Sequence, residues 1–254
     1  MTARSVMRAT LIAAGIASGQ LACASQGIPP GGPVDTEAPK ILRVAPDSGK
    51  TGIKPSEVLF TFDEVVSERP GGAPSLGALF LISPRDGSPD VGWHRKEVSV
   101  RSHRGWRPNT AYTVTLLPGI TDLRGNVRNT GGVVVFSTGP TIPTSRLSGT
   151  VFNWLTGTPA SRAFVEARSR TDSSVTYVAV ADSTGSFIMR NVAPGAYRVR
   201  GIIDDNSNRG LDPREAWDTT GVSLTDSARA ELYAFAHDSV GARLANVGLR
   251  DSVT

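Results

Sequence analysis

Hydrophobic and polar residues alternate with a period of two through much of this chain, which is the spacing of half-buried β-strands. EVLFTFDEVV sets Val58, Phe60 and Phe62 on one face, TAYTVTLL sets Tyr112, Val114 and Leu116 on one face, and GVVVFST completes a first group. PDSG, PRDGSPD and DLRGN separate these runs with the residues that tight turns demand. Strands at this spacing predict a sandwich of about seven strands over residues 41–138. RLSGTVFNWLTGTPASRAFVEARS and YVAVADSTGSFIMRNVAPGAYRVRGI repeat the pattern, and ELYAF supplies a last strand, which predicts a second sandwich over residues 146–236. Between the two lies GPTIPTS, with Pro140, Pro143 and little apolar surface, so few contacts are expected to cross it and the modules are expected to unfold separately. The tail, residues 237–254, is expected to be an edge strand or the first strand of a further module. After residue 20 no window repeats apolar residues at three- and four-residue steps over several turns, and α-helices are not expected.

Composition agrees with this reading. The 27 glycines and 17 prolines in 254 residues suit short strands joined by turns that need special backbone angles. A net charge of +4 includes Arg4 and Arg8, and without them it is +2, too little and too scattered for nucleic acid to be a partner.

The first residues change the picture of where the chain works. Arg4 and Arg8 precede an apolar run from Ala9 to Gly19. As a helix that run would rise roughly 16 Å, about half a hydrocarbon core, so residues 1–22 are expected to be a signal peptide and not a membrane span. Cys23, after Leu21 and Ala22, stands where a bacterial lipoprotein signal places its acceptor, and it has no second cysteine with which to pair. Gln20 departs from that pattern, which takes a small or aliphatic residue three places before the cysteine. Ordinary cleavage after Ala24, with the small residues of Ala22-Cys23-Ala24 in place, is the competing expectation. A lipidated Cys23 would anchor the chain to a membrane, expected to be the outer membrane, whereas ordinary cleavage would leave it periplasmic or secreted. Residues 23–40, with QGIPPGGPVDTEAPK at their core, are expected to be a flexible spacer.

Two family resemblances sharpen the β-sandwich expectation. AP-x-SG, FTFDEVV, WRPNTAYTVTL, ITDLRGN and VFSTG stand in the order of the bacterial Ig-like domain of the SbsA type, with Gly125-Asn126 after Asp122 as its tight turn and Tyr112 as a packed aromatic. SGTV, TGTPASRAFVEA, ADSTGSF and VAPGAYRVR, within residues 146–204, resemble the carboxypeptidase regulatory-like, transthyretin-like domain. The resemblances imply an all-β chain of two consecutive Greek-key β-sandwich modules. They also imply no catalysis: the first family is a spacer and adhesion-associated module, and the second is a sandwich without peptidase residues.

Candidate chemistry is sparse. The three histidines, His94, His103 and His237, form no H-E-x-x-H pair, and no G-x-S-x-G elbow or phosphate-cradling loop is present. Asp63 and Glu64 follow FTF and, as adjacent strand residues, are expected to point to opposite faces, which argues against an acid–base pair. His94 and His103 flank EVSV and are expected to be solvated edge residues. Trp93, Trp106, Trp154 and Trp217 could stack on sugar rings or fill core and rim positions. In IIDDNSNRGLDPREAWD, counting from Asp204 as position 1, Asn206, Asn208, Asp212 and Glu215 fall at positions 3, 5, 9 and 12, the oxygen-ligand register of a calcium loop. Arg209 occupies position 6, where such a loop takes glycine, and sets a positive charge in the sequence beside the ligands. The stretch is therefore either a weak calcium site or an Asn/Asp turn. The function expected from all of this is that of a non-catalytic cell-envelope lipoprotein acting as a surface spacer, adhesion or assembly module. The alternative is a glycan-binding module of a surface polysaccharide system, and the partners expected besides the membrane are an envelope protein or a glycan.

Overall fold

The computed structural model describes residues 33–237. The signal segment, Cys23, the first part of the spacer and residues 238–254 lie outside the described residues. From Glu37 to His237 the chain belongs to one compact unit, and among the described residues the regular elements are strands apart from a 3-10 turn at Leu76–Leu79. The all-β expectation holds.

In the first module the strands are β1 (Ile41–Ala45), β2 (Val58–Phe62), β3 (Phe80–Ser83), β4 (Asp90–His94), β5 (Glu97–Arg101), β6 (Ala111–Leu116) and β7 (Gly132–Ser137). They form two antiparallel sheets, β1-β2-β5-β4 and β3-β6-β7, which is the strand partition of a seven-stranded immunoglobulin sandwich. Period-two alternation sends Val58, Phe60 and Phe62 inward from one sheet to meet Tyr112, Val114 and Leu116 from the other, all fully buried or nearly so. The described residues contain no cysteine, so no disulfide joins the sheets. Aromatic rings fill the core instead: Phe60 of β2 meets Phe80 of β3 across the sheets at 5.4 Å, and Trp106, from the loop before β6, packs edge-on against Tyr112 at 4.9 Å and Phe136 at 5.0 Å. Each such pair contributes about 0.5–1.5 kcal/mol beyond its burial. Trp106 is thus a core residue, 6% exposed, with its indole N–H donated to the Pro55 carbonyl. The Tyr112 hydroxyl, near the start of β6, accepts the Arg107 backbone N–H at 2.7 Å and fixes the preceding loop.

The expected turn at Gly125-Asn126 is built around a carboxylate. Asp122 accepts the backbone N–H of Arg124 and of Asn126, each at 2.8 Å, and the Asn126 side-chain amide at 2.7 Å, while Gly125 takes φ +92°. Burial alone would raise the Asp122 carboxyl, but these hydrogen bonds outweigh it and hold the group below its ordinary range.

The second module comprises β8 (Arg146–Asn153), β9 (Phe164–Ser169), β10 (Thr176–Val180), β11 (Ser186–Arg190), β12 (Gly195–Ile202), β13 (Ala216–Leu224) and β14 (Ser227–Ala236). Its strand order is β10-β9-β12-β13-β14-β8-β11. β13 and β14 pair only through Ala216–Ala236 and Trp217–Phe235, so the ladder folds over at that point and its two halves share one core of Leu147, Val151, Val165, Tyr177, Val199 and Leu232. ELYAF lies in β14, as expected, and runs parallel to β8. The close approach of these strands depends on Gly149, where an added Cβ would stand 2.0 Å from the Ala230 carbonyl oxygen and 2.7 Å from the Phe187 ring. Gly149→Ala is expected to cost about 3 kcal/mol by overpacking, a Tm fall of about 6–12 °C, whereas Gly221→Ala should change Tm little. Nothing lies within 4 Å of a Cβ at Gly221. Thermal unfolding of the two variants checks the contrast.

Candidate functional site

Two strands depart from polar alternation. β3 reads FLIS and is buried at all four positions, and β10 reads TYVAV with only its last residue partly exposed. A strand buried on both faces must be covered on both, and these two cover each other across the modules. Leu81 of β3 packs with Phe164, Val178 and Ile202, which leave the outer face of the β10-β9-β12 sheet. The backbone joins as well, Arg85 donating its N–H to the Thr176 carbonyl at 2.8 Å and Val178 donating to the Ser83 hydroxyl at 3.0 Å. The expectation that few contacts cross residues 139–145 is therefore corrected. The prolines there describe the connecting backbone, while the apolar outer row of the second sheet decides that the modules meet.

Three arginines close the edges of this contact. Arg85 donates to Glu166 at 3.1 Å and to the Arg209 carbonyl at 2.9 Å. Arg209 answers from the other side, its guanidinium donating to the Phe80 carbonyl at 2.6 Å and to the Ala78 carbonyl. Arg107 donates to the Asp172 carboxylate at 3.0 Å and to the Ser174 hydroxyl at 2.8 Å. Burial in the junction pulls the Arg209 guanidinium down to about 10, against the attraction of Asp204 and with the repulsion of Arg85, and it stays charged at neutral pH.

Arg209 belongs to the stretch singled out for its oxygen ligands, and the structure brings all five of those residues together. Asp204, just after β12, accepts the backbone N–H of Asn208 at 3.0 Å on one carboxylate oxygen and that of Arg209 at 2.7 Å on the other. The Asn206 side-chain oxygen shares the Asn208 N–H at 2.9 Å. Both asparagine amides donate to one oxygen of Asp212, at 2.6 Å from Asn206 and 2.9 Å from Asn208. Glu215 reaches back to accept the Asp212 N–H at 2.9 Å. The Arg209 charge still acts on Asp204, but its guanidinium leaves the loop to donate to the carbonyls of the first module.

The remaining candidates separate cleanly. Trp93 donates its indole N–H to the Val66 carbonyl at 2.9 Å, and Trp217 lies partly buried under the His237 ring at 3.9 Å. Trp154 is 66% exposed and meets Tyr233 edge-on at 6.0 Å. Tyr233 stacks on Phe152 at 5.2 Å, and exposed Phe235 lies further along β14. Alternation in ELYAF, which turns Leu232 and Ala234 inward, is the sequence signal that could have placed Tyr233 and Phe235 on the surface. His94 and His103 are exposed, as expected. A second surface was missed: Arg198 sits directly opposite Arg168, and with Arg170 and Arg200 they line a cleft of about 250 Å³. Like charges directly opposite disfavour a strand pair, and YRVR with EARSR was the sequence signal for this shelf.

Comparison with known proteins places the first module. Residues 35–138 match the bacterial Ig-like domain family. No curated protein matches the chain. Among solved structures, the major pilin subunit BcpA of Bacillus cereus is 10% identical, with 78% of this chain and 71% of that one covered, at a TM-score of 0.28. The group B streptococcus pilus 2b backbone protein is 9% identical, with 76% and 97% covered, at a TM-score of 0.25. At scores this low the overall arrangements differ.

With these junction contacts the two modules are expected to behave as one cooperative body. Wild-type protein is expected to unfold in a single transition and to resist protease at residues 139–145. Arg85→Ala and Arg209→Ala should each cost about 1–3 kcal/mol, since each leaves charged or carbonyl partners unsatisfied, and should open that segment to cleavage. Limited proteolysis beside thermal unfolding reads both effects.

Proposed function

We propose that this protein is a non-catalytic cell-envelope protein that acts as a stiff surface spacer or assembly arm, anchored through lipid on Cys23. The observation that carries the reading is the sealed junction: apolar packing of Leu81 on Phe164, Val178 and Ile202, with arginines reaching across in both directions, suits a strut better than a flexible tether. The match of residues 35–138 to a bacterial Ig-like family agrees with a structural role at the cell surface. Among the described residues no helix is long and apolar enough to cross a membrane, and the lipid would supply the attachment. Two measurements test it. A clickable fatty acid should label the wild type but not Cys23→Ser, and label in neither removes the anchor. Spin labels on exposed Leu123 and Arg229 in the Cys23→Ser background should give one narrow distance distribution, and a broad one removes the strut.

A second reading, recognition of a glycan, is favoured by one surface feature. Trp154, Tyr233 and Phe235 present exposed rings on the second module, and an aromatic face covers a pyranose ring well. A glycan array should then give a saturable signal that falls at least tenfold in Trp154→Ala and in Tyr233→Ala. An array without signal, or one indifferent to both substitutions, rejects it.

A further inference from the structure

We propose that the loop from Asp204 to Glu215 is a calcium site, and that filling it stiffens the junction between the two sandwiches. The inference concerns the junction itself and would stand even if the chain were no envelope spacer.

Five side chains with hard oxygen donors fold onto one another here, linked through the Asn208 N–H, the Asp212 carboxylate and the Asp212 N–H. Their places along the loop, 1, 3, 5, 9 and 12, let one turn of backbone wrap a large cation. Position 6 needs a sharp turn, for which glycine is the usual solution; Arg209 takes φ +58° there, so the backbone makes that turn without it.

Glu215 supplies the independent observation. It is only 5% exposed, yet while one carboxylate oxygen accepts the Asp212 N–H, the other is buried with no hydrogen-bond partner. A buried carboxylate oxygen left in this way is costly, and it sits at the loop position whose glutamate closes a calcium shell with both oxygens. A cation held between Glu215, Asp212 and Asp204 would satisfy it.

The loop must tighten to do so. The carboxylate oxygens of Asp204, Asp212 and Glu215 do not all lie within 4.8 Å of one another. The amides of Asn206 and Asn208 now turn their nitrogens to Asp212 and would have to present their oxygens instead. That rearrangement sets the affinity in the weak range of extracellular sites, about 0.1–1 mM. Magnesium, with shorter bonds and stricter octahedral geometry, should do much less.

Coupling to the junction follows from Arg209. Asp204 holds the Arg209 N–H, the Arg209 carbonyl receives Arg85, and the Arg209 guanidinium grips the carbonyls of Phe80 and Ala78. An ion that draws Asp204 inward fixes the backbone from which this grip extends.

The test uses the chain from Cys23 to Thr254 with Cys23→Ser, titrated by calorimetry and thermal scans with calcium, magnesium and chelator. Calcium should bind with a Kd of about 0.1–1 mM and at about 10 mM raise Tm by about 3–11 °C. Glu215→Gln should weaken binding at least tenfold. Because that residue is buried, the exposed Asn206→Ala serves as a second variant and should weaken binding too, while Asp205→Asn, out of register, should not. In wild type, calcium should slow protease cleavage at residues 139–145. Arg209→Ala should keep the calorimetric binding but lose that protection. Equal behaviour in calcium, magnesium and chelator overturns the site, as does binding indifferent to both loop variants. Full protection by calcium in Arg209→Ala overturns the coupling.

Discussion

A β-sheet has two faces, and in this protein the outer face of one sheet is too apolar to be left in water. Phe164, Val178 and Ile202 emerge from three adjacent strands on the side away from their own core, and Leu81 of the first sandwich covers them. Fully burying a large apolar side chain contributes about 1.5–3 kcal/mol, so this small row offsets much of the cost of ordering the connecting segment. The polar frame follows from it. Once β3 and β10 are brought together, the carbonyls of Ala78 and Phe80 and the carboxylate of Glu166 lose water, and Arg209 and Arg85 replace it. Each arginine is anchored in one module and spends its donors in the other, so neither sandwich is chemically complete at this edge alone.

Much of this was legible in the chain. Alternation placed Val58, Phe60, Phe62, Tyr112, Val114 and Leu116 in the first core, and turn residues bounded both sandwiches. The junction was not read, although YVAVA and FLIS carry its signal: a strand without polar alternation has no face to give to solvent. Pro140 and Pro143 masked it, because a linker's composition describes its own backbone and says nothing about the faces it connects. Spacing of Asp and Asn identified a loop whose members do meet in space. It could not tell that Arg209 would turn away from them, since the side chain's destination is set by carbonyls that lie some 130 residues earlier in the chain. Nor could it separate the tryptophans. Trp106 and Trp154 both stand in loops just outside the strands, and only the fold shows that one faces Phe136 and the other faces water.

The surfaces left over divide by chemistry. Arg168 and Arg198 oppose each other on the same sheet face that the first module covers further along, whereas Trp154, Tyr233 and Phe235 line the half of the ladder that contains β8 and β14. Trp217 connects the two regions, with the Arg200 guanidinium 5.5 Å from its ring centre and His237 stacked on it. A ligand following this path would pass from guanidinium groups to aromatic rings without leaving one module.

The parallel pairing of β8 and β14 has a mechanical consequence. β8 is the first strand after the junction and β14 the last strand among the described residues, and eight residue pairs hold them side by side, from Arg146–Ser227 to Asn153–Ala234. Because the two strands run in the same direction, a pull on the start of one and the end of the other slides them lengthwise, loading all their hydrogen bonds at once. An antiparallel pair joined at the same points would instead unzip one bond at a time. Tension carried along the chain therefore meets this module in its strongest orientation.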